Sequence, residues 1–316
     1  MTLHLVRRLA QTVVVLAGVT LVTFFMMHSA PGHPLQANPE LRLDPTAVER
    51  WLQLRQLDQP LPAQYLSWLS RMTRGDFGNS LIYNRPVTEL ILERLPATLL
   101  LTVTAFFLAM GMAVFLGVYA AIREGSLIDR LVGLVSLIGI STPSFWLGII
   151  LVMIFSYRLT ILPSIGMRTP GNGNFPDIAA HMVMPVAVLT LAGFSHYVRF
   201  VRGAVLAILD LDYIRAAKGR GFSEKVILAR HVLPNAAIPI ITVAALSIPM
   251  LFTGALVAEY VFSWPGLGRW IIASTLARDY PVIMTVNLYI ATLVALASFL
   301  ADVLYMLIDP RLRLHQ

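Results

Sequence analysis

Four ionisable side chains lie in or beside long apolar runs of the chain: His181, His196, Glu259 and Asp302. A charge at bilayer depth is expensive, so such groups are candidates for solute contact, proton relay or helix pairing. Glu259 and Asp302 flank apolar runs near their ends, where a paired or water-facing carboxylate that holds helices together is the first reading. His196 follows Gly193-Phe194-Ser195, which superficially resembles a serine-hydrolase elbow. The closing glycine of that motif is missing, and adjacent Ser and His side chains do not form a dyad. Metal chemistry is equally unsupported, because the seven histidines are dispersed, no His-Glu-x-x-His occurs and there is no cysteine. The chain also lacks Gly-x-x-x-x-Gly-Lys-Ser/Thr, the usual loop that cradles nucleotide phosphates, so any energy from ATP must come through a partner.

Two other groups of residues carry more information. Pro143 within Ser141-Thr142-Pro143-Ser144, together with Pro239 and Pro249, is expected to interrupt apolar helices and free carbonyls that need partners or water. Ser141, Thr142, Asn235, Thr253 and Asn287 are then candidate lining residues, against the alternative that small polar residues hold helices together. The second group is the polar stretch 203–235. Ala216 and Ala217 favour helix, Gly219 and Gly221 break it, Ser223 can cap a second helix through Arg230, and Pro234 is expected to end that one. Ile214, Ala217, Phe222 and Val226 would offer small apolar knobs among cations, a surface suited to a partner's groove. The alternative is an amphipathic segment lying on anionic lipid.

The elements that must position these residues follow from composition. Of 316 residues 57% are hydrophobic and 13% charged, with mean hydropathy +0.73, against about 25% charged in soluble domains. The net charge of +7 is scattered between apolar runs, which fits membrane loops and argues against a nucleic-acid groove. Stretches 9–39, 95–122, 131–157, 178–198, 231–258 and 280–301 contain no Asp, Glu, Lys or Arg. Each exceeds the roughly 20 residues of helix that cross a hydrocarbon core. The expected fold is an all-α integral membrane protein of one domain with spans at about 9–28, 96–121, 131–157, 180–202, 236–261 and 282–307. Arg7 and Arg8 precede the first run as in a secretory signal, but Leu9 to Met27 is too long and His28-Ser29-Ala30 is a poor cleavage site, so this helix is retained. Both lysines and five arginines fall in 199–230, which places that segment and both termini in the cytoplasm. Residues 29–95 then form an external cap with helical spacing in Val48, Trp51 and Leu52 and in Tyr65, Trp68 and Leu69.

Ala216-Ala217, then Gly221, then Leu233-Pro234 resemble the cytoplasmic coupling motif of bacterial ATP-binding-cassette import permeases, with Arg215 where the motif has Glu. Leu57-Asp58-Gln59-Pro60-Leu61, Gly75-Asp76-Phe77-Gly78-Asn79-Ser80, Arg85-Pro86-Val87, Pro143-Ser144-Phe145-Trp146, Trp264-Pro265-Gly266-Leu267-Gly268, Arg278-Asp279-Tyr280-Pro281 and Asp309-Pro310-Arg311 are similar to the dipeptide, oligopeptide and nickel branch. The long loop after the first helix resembles the first of that branch's two paired permeases. The resemblance implies a subunit working by alternating access beside a sister permease, two ATP-binding subunits that hold ATP and Mg, and an extracytoplasmic solute-binding protein, in the bacterial inner membrane and its lipid. It implies ATPase coupling through Tyr213, Ile214, Ala216, Ala217, Lys218, Gly221, Phe222, Ser223, Leu233 and Pro234, and no cofactor or catalytic site in this chain. Glu259, Trp264, Pro265, Gly266 and Gly268 would stand near an outer gate, or Trp264 would serve as an interfacial anchor. Peptide is the expected solute, with nickel or glutathione as the alternative within the branch. An autonomous channel or carrier is the competing class.

Overall fold

The computed structural model describes residues 2–29, 46, 49, 50, 53, 58–253 and 255–308. Their regular structure is helical, with one isolated antiparallel bridge between Asn79 and Pro86. In chain order the helices are α1 Thr2–Ser29, α2 Leu61–Met72, α3 Val87–Ile122, α4 Leu127–Ser141, α5 Ser144–Leu151, α6 Phe175–Leu209, α7 Asp212–Gly219, α8 Glu224–Ile227, α9 Leu233–Leu246, α10 Met250–Thr253, α11 Leu256–Val261, α12 Leu267–Leu276 and α13 Tyr280–Ile308. Five runs are long and apolar enough to cross a membrane: Ala10–Ser29, Val87–Ile122, Phe175–Leu209, Glu224–Val261 and Tyr280–Ala301. A sixth candidate is α4 with α5 and its continuation to Arg158, a pair bent by 101°.

Several helices run past the charge gaps that announced them. The span drawn from 96 starts at Val87, so Glu89, Glu93 and Arg94 lie on helix, with Arg85 paired to Glu93 at 2.5 Å on the exposed side. The span drawn from 180 starts at Phe175 because Asn174 caps it, accepting from the Asp177 N–H at 3.1 Å. Pro143 does break the third run. Thr142 is extended (φ −91°, ψ 120°), as a residue before proline must be, and α5 restarts at Ser144. Pro239 does not interrupt anything: it sits inside α9, as Pro96 and Pro185 sit inside α3 and α6. Pro234 does not end a helix either. A π-helical turn, Leu228–Val232, absorbs one extra residue and runs directly into α9, with the Leu233 N–H donating to Leu228 O, and Pro234 follows without a break in the helix. Pro249 lies at the real interruption, between Leu246 and Met250. Of the expected external helices α2 is present with Tyr65, Trp68 and Leu69, whereas Val48, Trp51, Leu52 and the Asp309-Pro310-Arg311 segment lie outside the described residues, as do the side chains of Thr253 and Asp302.

The chain divides into two compact units, Met1–Pro96 with Gly266–Ala295 and Ala97–Pro265 with Leu296–Gln316. The first has a core of Val87, Leu90 and Ile91 from α3, Leu267, Trp270 and Ile271 from α12, and Val282 and Val286 from α13. The second is organised around α6, whose buried face meets α3, α4 and α9. Small residues set these crossings. Ser136 donates to the Ser195 carbonyl at 2.8 Å, and a Cβ added at Gly139 would stand 2.0 Å from Ser195 Oγ and 3.1 Å from its Cβ. Gly117 and Gly193 are less tight, with an added Cβ 3.0 Å from Val201 Cγ1 and 3.1 Å from Ala109 Cβ. Gly139→Leu is expected to lower stability by about 1–3 kcal/mol through overpacking, seen as an earlier thermal aggregation midpoint of the detergent-purified chain; a midpoint equal to wild type would remove this crossing from the account.

Candidate functional site

The expected boundary at 203 falls inside α6, which runs on to Leu209; the rest of the segment is the short helix α7, a glycine turn and a second helical run from Glu224, rooted in the second unit. Asp212 in the first turn of α7 and Lys218 in the last complement the helix dipole. Ile214 and Ala217 point inward and join Ile227, Val232 and Ala236 against Ala121 of α3 and Val201 and Val205 of α6. They were expected among the outward knobs; instead they seat the segment on the body of the protein. Val226 is half-buried. What remains exposed is Tyr213, Ala216, Lys218, Gly221, Phe222, Ser223, Leu233 and Pro234, with Tyr213 44% and Phe222 48% accessible, among Arg215, Arg220, Lys225 and Arg230. Two exposed aromatic rings among cations and the carboxylates of Asp210, Asp212 and Glu224, on an ordered support, form a surface that can dock a partner.

The turn that positions Phe222 has a definite geometry. Gly221 adopts φ +81°, its N–H donates to Lys218 O at 3.0 Å, and the Phe222 N–H reaches back to Ala217 O at 3.3 Å. These two bonds are the Schellman closure of a helix, and the left-handed residue in it is favourable only for glycine. Gly219, by contrast, is helical. Ser223 occupies the N-cap position of α8 in extended conformation, but its hydroxyl makes no capping bond.

Asn235, expected on a translocation path, belongs to this segment. It is exposed and donates to His231 O at 2.6 Å and Tyr213 Oη at 3.4 Å. The other path candidates are dispersed: Ser141 and Pro143 are exposed and Thr142 half-buried at the bend in the second unit, and Asn287 is half-buried on α13 in the first. His181 is buried and bonded through Nδ1 to Asp177 O at 2.9 Å, a structural role. Ser195 is buried and donates to Leu191 O at 2.7 Å while His196 is exposed, so the two do not act together.

The Trp264 segment is not an interfacial anchor. Trp264 is fully buried among Ala97, Leu101, Ala105 and Val186, and its indole N–H donates to Ala97 O at 2.8 Å. Its backbone N–H closes α11 onto Glu259 O at 2.8 Å, across Ser263 at φ 50°, and Glu259 is itself completely buried. Pro265 is exposed, whereas Gly266 and Gly268 are buried at the start of α12 in the first unit.

Sequence reasoning missed one constellation. Asp279 is fully buried in the first unit and accepts from Ser80 Oγ and, at 3.0 Å, from the Leu81 N–H. Ser80 Oγ in turn accepts from the Ile82 and Tyr83 N–H groups at 3.2 and 3.0 Å. Two motifs almost 200 residues apart are thus one clasp. Arg278 beside it holds φ 56° and ends α12 by the same double closure as Gly221, donating to Thr275 O at 3.2 Å while Asp279 N–H reaches Ser274 O at 2.9 Å.

Residues 113–314 match the family described as the inner membrane component of binding-protein-dependent transport systems, and residues 1–102 match the N-terminal membrane component of such systems. Similar proteins include the oligopeptide transport system permease protein AppB of Bacillus subtilis, 38% identical over 99% of both chains. Others are the di/tripeptide transport system permease protein DppB of Pseudomonas aeruginosa and the dipeptide permease DppB of Escherichia coli, 38% and 34% identical over 98% of each chain. A solved structure of the MetNI methionine ABC transporter, inward facing, overlays 70% of this chain and 97% of that one with TM-score 0.55 at 21% identity, which shows a shared fold. The chain is therefore a member of the family of inner-membrane components of binding-protein-dependent transport systems.

Proposed function

We propose that the protein is the permease subunit of an ATP-driven importer that moves di- and oligopeptides across the cytoplasmic membrane by alternating access. The observation that carries this reading is the similarity along essentially the whole chain to permeases named for oligopeptide, di/tripeptide and dipeptide transport. In it the bent pair α4–α5 counts as one span, giving six, with both termini and the 203–235 segment in the cytoplasm. The exposed Tyr213 and Phe222 and the cations around them dock one of two ATP-binding subunits, which hold ATP and Mg. A sister permease completes the pore, and an extracytoplasmic binding protein delivers the solute. Ser141, Thr142, Pro143, Thr253 and Asn287 are proposed for the path, and Glu259, Trp264, Pro265, Gly266 and Gly268 for the outer gate; Glu259 and Trp264 act there as buried supports.

The test is uptake of labelled dipeptide and of nickel, side by side, in a deletion strain with and without the gene restored. Loss and rescue of peptide uptake alone is the expected result. Loss of nickel uptake alone would sink the peptide assignment.

A further inference from the structure

A cavity of about 510 Å³ lies in the first unit, where the C-terminal end of α1 and the N-terminal end of α13 meet α2. Its lining changes character along those helices. Phe24 and Met27 from the last turns of α1 and Met284 from α13 are apolar, whereas Arg71, Asp76 and Asn79 come from α2 and the loop behind it. The wall is held in place by packing: His28 bonds Phe24 O at 2.8 Å and Gln64 Oε1 at 3.2 Å, and its ring lies 4.1 Å from that of Phe24 and 5.3 Å from that of Tyr280.

We propose that this cavity binds a zwitterionic phospholipid, with its phosphate on Arg71, its ammonium on Asp76, and its upper methylenes on Phe24, Met27 and Met284. An apolar floor at the ends of two spans, rimmed by one cation and one carboxylate, matches an amphiphile already lying at that depth. A free dipeptide carries the same two charges but has no chain to cover the floor. The inference rests on α1 and α13 crossing the membrane, and it is independent of the solute transported.

The full-length chain, purified in detergent, is titrated with dihexanoyl phosphatidylethanolamine, dihexanoyl phosphatidylglycerol and dialanine, with binding read by native mass spectrometry and thermal shift. Phosphatidylethanolamine is expected to saturate one site and to bind about tenfold more weakly to Arg71→Gln, which lacks the charge-assisted bonds. Asp76→Asn keeps an oxygen for its 2.9 Å bond from the Gly78 N–H and is expected to lose the preference for phosphatidylethanolamine over phosphatidylglycerol. If Arg71→Gln does not fold, that change of preference decides alone. Equal binding of phosphatidylethanolamine to folded wild type and variants, or saturation by dialanine in place of lipid, would overturn the assignment. Binding is read without transport, so a failed uptake assay leaves it standing.

Discussion

Peptide uptake is expected to fall to background in Gly221→Val while Gly219→Ala transports at least as well as wild type. The two glycines stand two residues apart, and neither has a neighbour within 4 Å of an added Cβ, so steric crowding does not distinguish them. Backbone conformation does. Gly221 holds φ +81°, where a side chain costs about 1–2 kcal/mol and a β-branched one more. Relief comes by abandoning the closure onto Lys218 O and Ala217 O, which moves Phe222, the exposed aromatic of the proposed docking surface. Gly219 lies on helix, where alanine is the better residue by about 1 kcal/mol. Uptake in membrane vesicles with ATP hydrolysis measured alongside separates the outcomes. Normal coupled uptake in Gly221→Val would remove the turn from the mechanism, and equal loss in both variants would point to a general folding defect.

Asp279→Ala is expected to cost about 2–4 kcal/mol, because it strands the Ser80 hydroxyl and the Leu81 N–H in a buried setting. Asp279→Asn, which keeps a carbonyl oxygen for one of them, should lose roughly half as much. The loop 76–86 should become the first site of attack in limited chymotrypsin digestion, at the exposed Tyr83. An alanine variant as resistant to chymotrypsin and heat as wild type would mean that the clasp is not what holds the loop.

The apolar runs were legible because a bilayer punishes charge over a fixed length, and the charge-free stretches mark the five described candidate spans and the bent pair α4–α5 to within a few turns. Their ends were less legible, since Glu89 and Glu93 extend a helix on an exposed face that the charge count treats as loop. Proline was an ambiguous signal. Pro143 broke its helix, but Pro239, like Pro96 and Pro185, did not. Among the described residues four helices, α2, α7, α11 and α12, end in the same Schellman closure, at Gly75, Gly221, Ser263 and Arg278. The first two carry the residue that announces it; at the other two positions tertiary structure imposes the left-handed backbone. The docking segment was readable as two helices and a turn, yet which residues faced inward was not. Ile214 and Ala217 look like contact residues in a sequence and prove to be core once α6 is in place. The Asp279 clasp joins distant motifs, and single-sequence reasoning has no signal for such a pairing.

Seating Ile214, Ala217, Ile227 and Val232 in the core has a consequence for assembly. A segment that folded only on its partner would lose its ordering entropy at that moment, several kcal/mol of the gross interaction. Here the order exists in the free subunit. Amide hydrogens of α7 should exchange only through openings that also expose the interior of the second unit. In the proposed assembly an ATP-binding subunit would meet a surface that is already ordered, so encounter would be governed by diffusion and by the charge of Arg215, Lys218, Arg220 and Lys225, and should slow as ionic strength rises.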